Sequence, residues 1–189
     1  MKNKIIVNLL SPPSGGKSTT RAGIFYFLKV AGIRCEEAIE YAKGKVYEGS
    51  DPVLKNQIYV FGKQHHMTTR CMGQVNVIVS ESPLLLSIVY DEEYSEHPSS
   101  ALKALVLEEH SKFINMNYYL VKPKDRPYEE YGRTQKEAGA NIIGDRILRV
   151  LGENNIPYKT LESTHEIVLL IVEEVKAMIK SLEDEGEIQ

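Results

Sequence analysis

The residues with the strongest chemical content lie in one stretch, SPPSGGKSTT at positions 11–20, directly after the apolar run Ile5 to Leu10. A short Ser/Pro/Gly loop followed by Lys17 and Ser18, with a strand pattern before it and a helical pattern after it, is the layout of a phosphate-binding loop. Glycine-exposed N–H groups wrap a phosphate, the lysine reaches the β and γ oxygens, and the next hydroxyl ligates Mg²⁺. Ser14, Gly15, Gly16, Lys17, Ser18 and Thr19 are therefore the expected phosphate cradle. Ser11 stands where the G-x-x-x-x-G-K-[ST] pattern has its first glycine.

Further polar residues follow the other strand-like segments. Glu40 follows the second and is placed to accept a proton from an attacking hydroxyl or to orient it. Glu81 follows the apolar run 75–80 and is expected to hold a Mg²⁺ water opposite Ser18. After the fourth segment comes KPKDRPYEEYGR, with Lys122, Lys124, Arg126 and Arg133. A cationic loop there suits a lid that neutralises transferring phosphoryl oxygens. Gln64 and Arg70 are further candidates, for contacts to an acceptor base and its phosphate. The adjacent His65 and His66 point ~100° apart on a helix and make no metal site by themselves.

These residues need elements to carry them. Positions 17–31 read as a helix with Ile24, Phe27, Leu28 and Ala31 on one face and Gly32 as its terminator. A second strand is expected within 33–42, a loop over 44–52, and a helix over 53–70 with Leu54, Ile58 and Phe61 aligned. The β-branched run 75–80 reads as a buried strand, with a helix from about 84 and a loop over 91–100. Ser99 is the expected cap of the next helix. A strand over 117–121, a helix ended by Gly152, a strand over 158–161 and a last helix opened by a Ser163/Glu166 capping box complete the order. Alternating strands and helices, with the phosphate loop after the first strand, imply a three-layer α/β/α P-loop NTPase fold with a five-stranded parallel sheet, and the charged run gives it a lid near 122–135. In such a sheet ligands bind beyond the carboxyl ends of the strands, where all these candidates fall. One domain over 1–182 and a frayed acidic tail over 183–189 are expected.

Composition excludes little. Hydrophobic content of 42% and charged content of 26% are those of an ordinary globule, and the net charge of −3 offers no global field for nucleic acid. Cys35 and Cys71 have no metal or redox spacing and are expected to be reduced thiols. The apolar run at 5–10 is too short for a signal peptide, and no stretch approaches a membrane span, so a cytoplasmic protein is expected.

With these residues in place, the chain resembles the small P-loop kinases of the thymidylate-kinase-like and nicotinamide-riboside-kinase-like group carried by tailed bacteriophages. The matching segments are SPPSGGKSTT, EYAKGKVYEG at 40–49, QIYVFGKQH at 57–65, SESPLLLS at 80–87 and DRPYEEYGRTQ at 125–135. The resemblance implies ATP and Mg²⁺, with Lys17 and Ser18 at the phosphates, Glu40 near the acceptor hydroxyl, and Arg126 and Arg133 as lid arginines. It also departs from the group: Ser11 replaces a glycine, and Glu81 stands where Asp is more usual.

Some phage members resemble kinases of 5-hydroxymethyluracil already built into DNA, a step toward hypermodified thymine. Others look like kinases of free nucleosides or nucleoside monophosphates. The expected partner is thus a nucleotide-type acceptor, free or within DNA, with no membrane and with a homodimer left open. An ATPase or nucleotide-binding switch without a small acceptor is the reading from another class.

Overall fold

The computed structural model describes residues 4–129, 131 and 137–186. Its centre is β1, Ile5–Leu10, in which all six residues are buried. An apolar run without alternation demands cover on both faces, and β1 obtains it in the middle of a five-stranded sheet. The order is β2-β3-β1-β4-β5, with β2 at Cys35–Ala38, β3 at Val77–Ser80, β4 at Ile114–Val121 and β5 at Lys159–Glu162. Every pairing is parallel; Val7 lies opposite Val79 on one side and Met116 on the other.

Side chains of β1 divide by period two. Ile5, Val7 and Leu9 pack with helix α1 (Lys17–Val30) and the last helix, α8 (Glu166–Asp184), while Leu10 faces the opposite layer. That layer contains α4 (Gln57–Thr69), α5 (Leu86–Tyr94), α6 (Ser100–Ser111) and α7 (Glu137–Glu153). Asn8 is the one polar residue of β1, and its Nδ2 donates to Asn115 and Asn117 of β4, both at 2.9 Å. The amide is thus satisfied where an unpaired one would be costly.

Several local expectations meet their physical limits. Positions 44–52 are not a loop: α2 (Tyr41–Tyr47) and α3 (Asp51–Leu54) occupy the region, separated by Gly49 at φ 66°. Helix α2 buries no residue, so it carries no apolar periodicity to read. The helix expected over 53–70 begins instead at Gln57, where Asn56 caps it by accepting from Tyr59 N at 3.1 Å. Ile58 is 68% exposed, and the buried face of α4 is Gln57, Val60, Phe61, Gln64 and Thr68. In α1 the buried residues are Thr20, Ile24 and Leu28, while Phe27 and Ala31 are exposed.

Helix α5 runs to Tyr94, into the expected loop, and Ser99 then caps α6 through Leu102 N at 3.1 Å. Gly152 lies inside α7, and Asn155 takes the left-handed position at φ 52° instead. The cap residue of α8 is His165, with no side-chain bond, because Ser163 is engaged elsewhere. Among the described residues no helix is long and apolar enough to cross a membrane.

Candidate active site

The carboxyl ends of the strands open into a cavity of ≈ 390 Å³. One wall is the loop from Pro13 to Gly16 together with Lys17, Ser18 and Thr19 at the start of α1. The loop is shaped by two left-handed residues, Ser14 at φ 65° and Gly16 at φ 91°, and by a turn in which Gly15 N donates to Pro12 O at 3.1 Å. Ser11 fits this loop closely: a Cβ at Gly15 would come within 2.4 Å of the Ser11 hydroxyl. That hydroxyl lies 3.1 Å from Lys17 Nζ, which also donates to the carbonyls of Ser11 at 3.0 Å and Pro12 at 3.4 Å. The serine at the first glycine position therefore helps to hold the lysine.

The segment expected as a lid, described over 122–129 and at Tyr131, crosses this wall. Arg126 Nη1 donates to Ser163 Oγ at 2.9 Å and Nη2 to Ser163 O at 2.6 Å. Glu129 N donates to Ser14 Oγ at 3.1 Å. Arg126, Glu129 and Tyr131 all line the cavity. Arg133 lies outside the described residues.

Across from the loop stand Glu40, at the mouth of β2, and residues of α2, α4 and α5. Glu40 is the N-cap residue of α2, but its side chain makes no capping bond. Val46, Leu54, Val60 and Leu86 give this wall apolar surface, and Gln57, Tyr90 and Tyr94 give it polar groups. Burial, followed by the nearby charge of Glu40, pushes the Tyr90 phenol far above its ordinary value, so Tyr90 stays a neutral hydrogen-bonding group. Its ring stacks on Tyr94, 6.0 Å between centroids and 14° between planes.

Gln57 was not apparent from the sequence. Its Nε2 donates to Leu54 O at 2.6 Å, and its buried Oε1 has no hydrogen-bond partner among the described residues. Gln57 is the first residue of α4, between Asn56 and Ile58, and in the sequence it reads as an ordinary solvated helix position.

Of the expected site residues, the structure brings together Ser14, Gly15, Gly16, Lys17, Ser18, Thr19, Glu40, Gln64 and Arg126 around one space. Glu81 is not among the residues lining it. The residue is 4% exposed and sits behind Glu40, its Oε1 accepting from Glu40 N at 3.3 Å and its Oε2 3.4 Å from Arg21 Nε. Arg21 also pairs with Glu37. Arg70 is the exposed C-cap residue of α4 and does not line the cavity either. Gln64 lines the cavity, but both ends of its amide are bonded to backbone, Nε2 to Ile39 O at 3.1 Å and Oε1 to Tyr41 N at 3.0 Å.

No family model matches the chain, and no curated protein does. Solved structures do. A crystal structure of NadR protein in complex with NR aligns with a TM-score of 0.66 at 16% identity, over 90% of this chain and 51% of that one. The chain thus spans about half the length of that NadR protein. YorR protein from Bacillus subtilis, in complex with phosphorylated GDP, aligns with a TM-score of 0.58 at 16% identity, over 95% of this chain and 98% of that one. A deoxyadenosine kinase from M. mycoides, with products dCMP and a flexible dCDP bound, aligns with a TM-score of 0.52 at 14% identity, over 94% and 99%. At these identities the likeness is one of architecture: the chain shares with these structures the three-layer α/β/α P-loop fold.

Proposed function

We propose that the protein is a phosphotransferase that moves the γ-phosphate of ATP to a hydroxyl group of a nucleotide-type acceptor. The observation that carries this reading is the shared cavity: the P-loop, Arg126 of the lid and Glu40 face one space with an apolar and tyrosine-lined wall opposite. Two substrates brought together in one enclosed site meet the main demand of phosphoryl transfer, which is positioning and charge neutralisation.

The loop N–H groups and Lys17 take the β- and γ-phosphates, and Arg126 faces the charge that builds on the transferring group. The acceptor hydroxyl oxygen bonds to the γ-phosphorus as the bond to the β–γ bridging oxygen breaks. ADP leaves, and the hydroxyl proton passes to Glu40. Among the described residues no three His, Cys, Asp or Glu cluster as a metal site. Mg²⁺ ordinarily keeps several waters and relies on phosphate oxygens with one or two protein groups. Ser18 would hold it, and the ion would neutralise β and γ oxygens.

Gln57 supports a nucleobase at the far wall. Its unmatched carbonyl oxygen calls for an N–H donor, such as a ring imide or an exocyclic amine. The acceptor takes one of two forms, the hydroxymethyl group of 5-hydroxymethyluracil within DNA or a free nucleoside or monophosphate.

The test is γ-labelled ATP offered with hydroxymethyluracil-containing DNA, ordinary DNA, free nucleosides and free monophosphates. Label on an acceptor supports the reading and identifies the form; label only on free monomers removes the DNA form. Slow ATP turnover that no acceptor accelerates would make the protein an ATPase or switch instead. The Lys17→Ala variant serves as the control and is expected to abolish transfer.

A further inference from the structure

Glu40 is the second residue beyond β2, and the backbone from Ile39 to Tyr41 is held by three hydrogen bonds. Gln64 Nε2 donates to the carbonyl of Ile39 at 3.1 Å. Glu81 Oε1 accepts from the Glu40 amide at 3.3 Å. Gln64 Oε1 accepts from the Tyr41 amide at 3.0 Å. One backbone group from each of three consecutive residues is thus satisfied by two side chains, from α4 and from the end of β3.

Both side chains are buried, Gln64 at 3% exposure and Glu81 at 4%, and Glu81 is itself backed by Arg21. The Tyr41 amide is one of the donors that a helix start leaves without an intrahelical partner. An N-cap side chain ordinarily bends back to the second or third helical amide, which leaves the first, here that of Tyr41, to be satisfied by another group. Here Gln64 supplies an acceptor from another helix, and Glu40 makes no capping bond.

We infer that Gln64 is a positioning residue for Glu40: its amide clamps the 39–41 backbone so that the Glu40 carboxylate is presented to the acceptor hydroxyl. The inference rests on the role of Glu40 in the proposed transfer. It assigns Gln64 away from direct acceptor contact, since both ends of its amide are committed to main chain. It likewise makes Glu81, with Arg21 behind it, a support of the same peptide.

The test uses Gln64→Leu, with Gln64→Met as a second variant of similar length should the first fold poorly. Amide hydrogen exchange is read at Tyr41, and steady-state kinetics are measured with ATP and the best acceptor of the labelled panel. Loss of the clamp is expected to speed Tyr41 exchange at least tenfold while amides of β1 and β3 keep their protection. It should lower kcat about 10- to 100-fold, as small misplacements of catalytic groups do, with the KM for ATP and for acceptor within about twofold.

Unchanged Tyr41 exchange would overturn the clamp. So would faster exchange with wild-type kcat, or a defect confined to the KM of the acceptor, which would make Gln64 a substrate contact. A native protein that labels no acceptor sinks the transfer reading separately, and the exchange result then decides the clamp by itself.

Discussion

Arg126 holds Ser163 with both terminal nitrogens of its guanidinium, one on the hydroxyl at 2.9 Å and one on the carbonyl at 2.6 Å. Ser163 follows β5, whereas Arg126 belongs to the lid after β4, so the pair ties two loops across the phosphate-binding wall. The tie passes directly over Gly16: a Cβ built there would meet Ser163 Oγ at 2.5 Å and Arg126 Nη1 at 2.8 Å. A guanidinium already fixed in place loses little freedom when phosphate charge arrives, and that is what transition-state stabilisation requires.

Arg126→Ala is therefore expected to lower kcat about 100- to 1,000-fold, the usual cost of removing one preorganised donor, and to change ATP affinity far less. Steady-state kinetics beside calorimetric ATP titration separate the two effects. A loss confined to ATP binding would make Arg126 a ground-state clamp.

Gly16→Ala tests the close approach itself. The position has φ 91°, which strains any L side chain, and the added methyl displaces the Arg126–Ser163 pair. Backbone strain of roughly 1–3 kcal/mol should lower Tm by about 2–12 °C, measured by thermal melting without nucleotide. ATP affinity should fall in the same variant, because the loop N–H groups no longer face one point.

For the proposed acceptor wall, Gln57→Leu removes the buried carbonyl oxygen that has no hydrogen-bond partner among the described residues. Leaving a base N–H unpaired costs on the order of 1–3 kcal/mol, so kcat/KM for the acceptor should drop roughly 10- to 100-fold while the KM for ATP holds. Acceptors without an N–H at that edge should lose nothing.

His110 gives a pH dependence unrelated to catalysis. Burial pushes its pKa from 6.5 down to about 4, so the folded protein keeps the ring neutral. The unfolded chain takes up a proton below pH 6.5 that the folded chain refuses until about pH 4. Stability from this group is thus complete above the unfolded value and drains away as pH falls through that window, by up to on the order of 3 kcal/mol. Urea denaturation at neutral pH, in mid-window and near its acid end should show this fall in the native protein. It should be shallower in His110→Leu, measured against that variant's own neutral value.

The strand, loop and helix start around Lys17 and Ser18 were legible because they form a local object: glycines, lysine, hydroxyl and helix start lie within ten residues. The β-branched run ending at Ser80 and the Ser99 cap were legible for the same reason. Helix α2 was not, since it buries none of its residues and so has no apolar spacing to betray it. Gly152 and Ser163 misled because each has the residue type of a local signal and a different tertiary task, the glycine within α7 and the serine under Arg126.

By itself the sequence determined the order of the five strands and the strand–loop–helix geometry around Lys17, and it offered most of the polar residues beyond the strand ends, all of which follow from spacing between near neighbours. Only the tertiary structure decided how those polar residues are used. It turned Gln64 onto the backbone 23 residues away and joined Glu81 to the Glu40 amide across 41 residues. It also docked Glu129 on Ser14 across 115. Such contacts depend on where the sheet's parallel crossovers deliver each strand end, and residue spacing along the chain carries no record of that geometry.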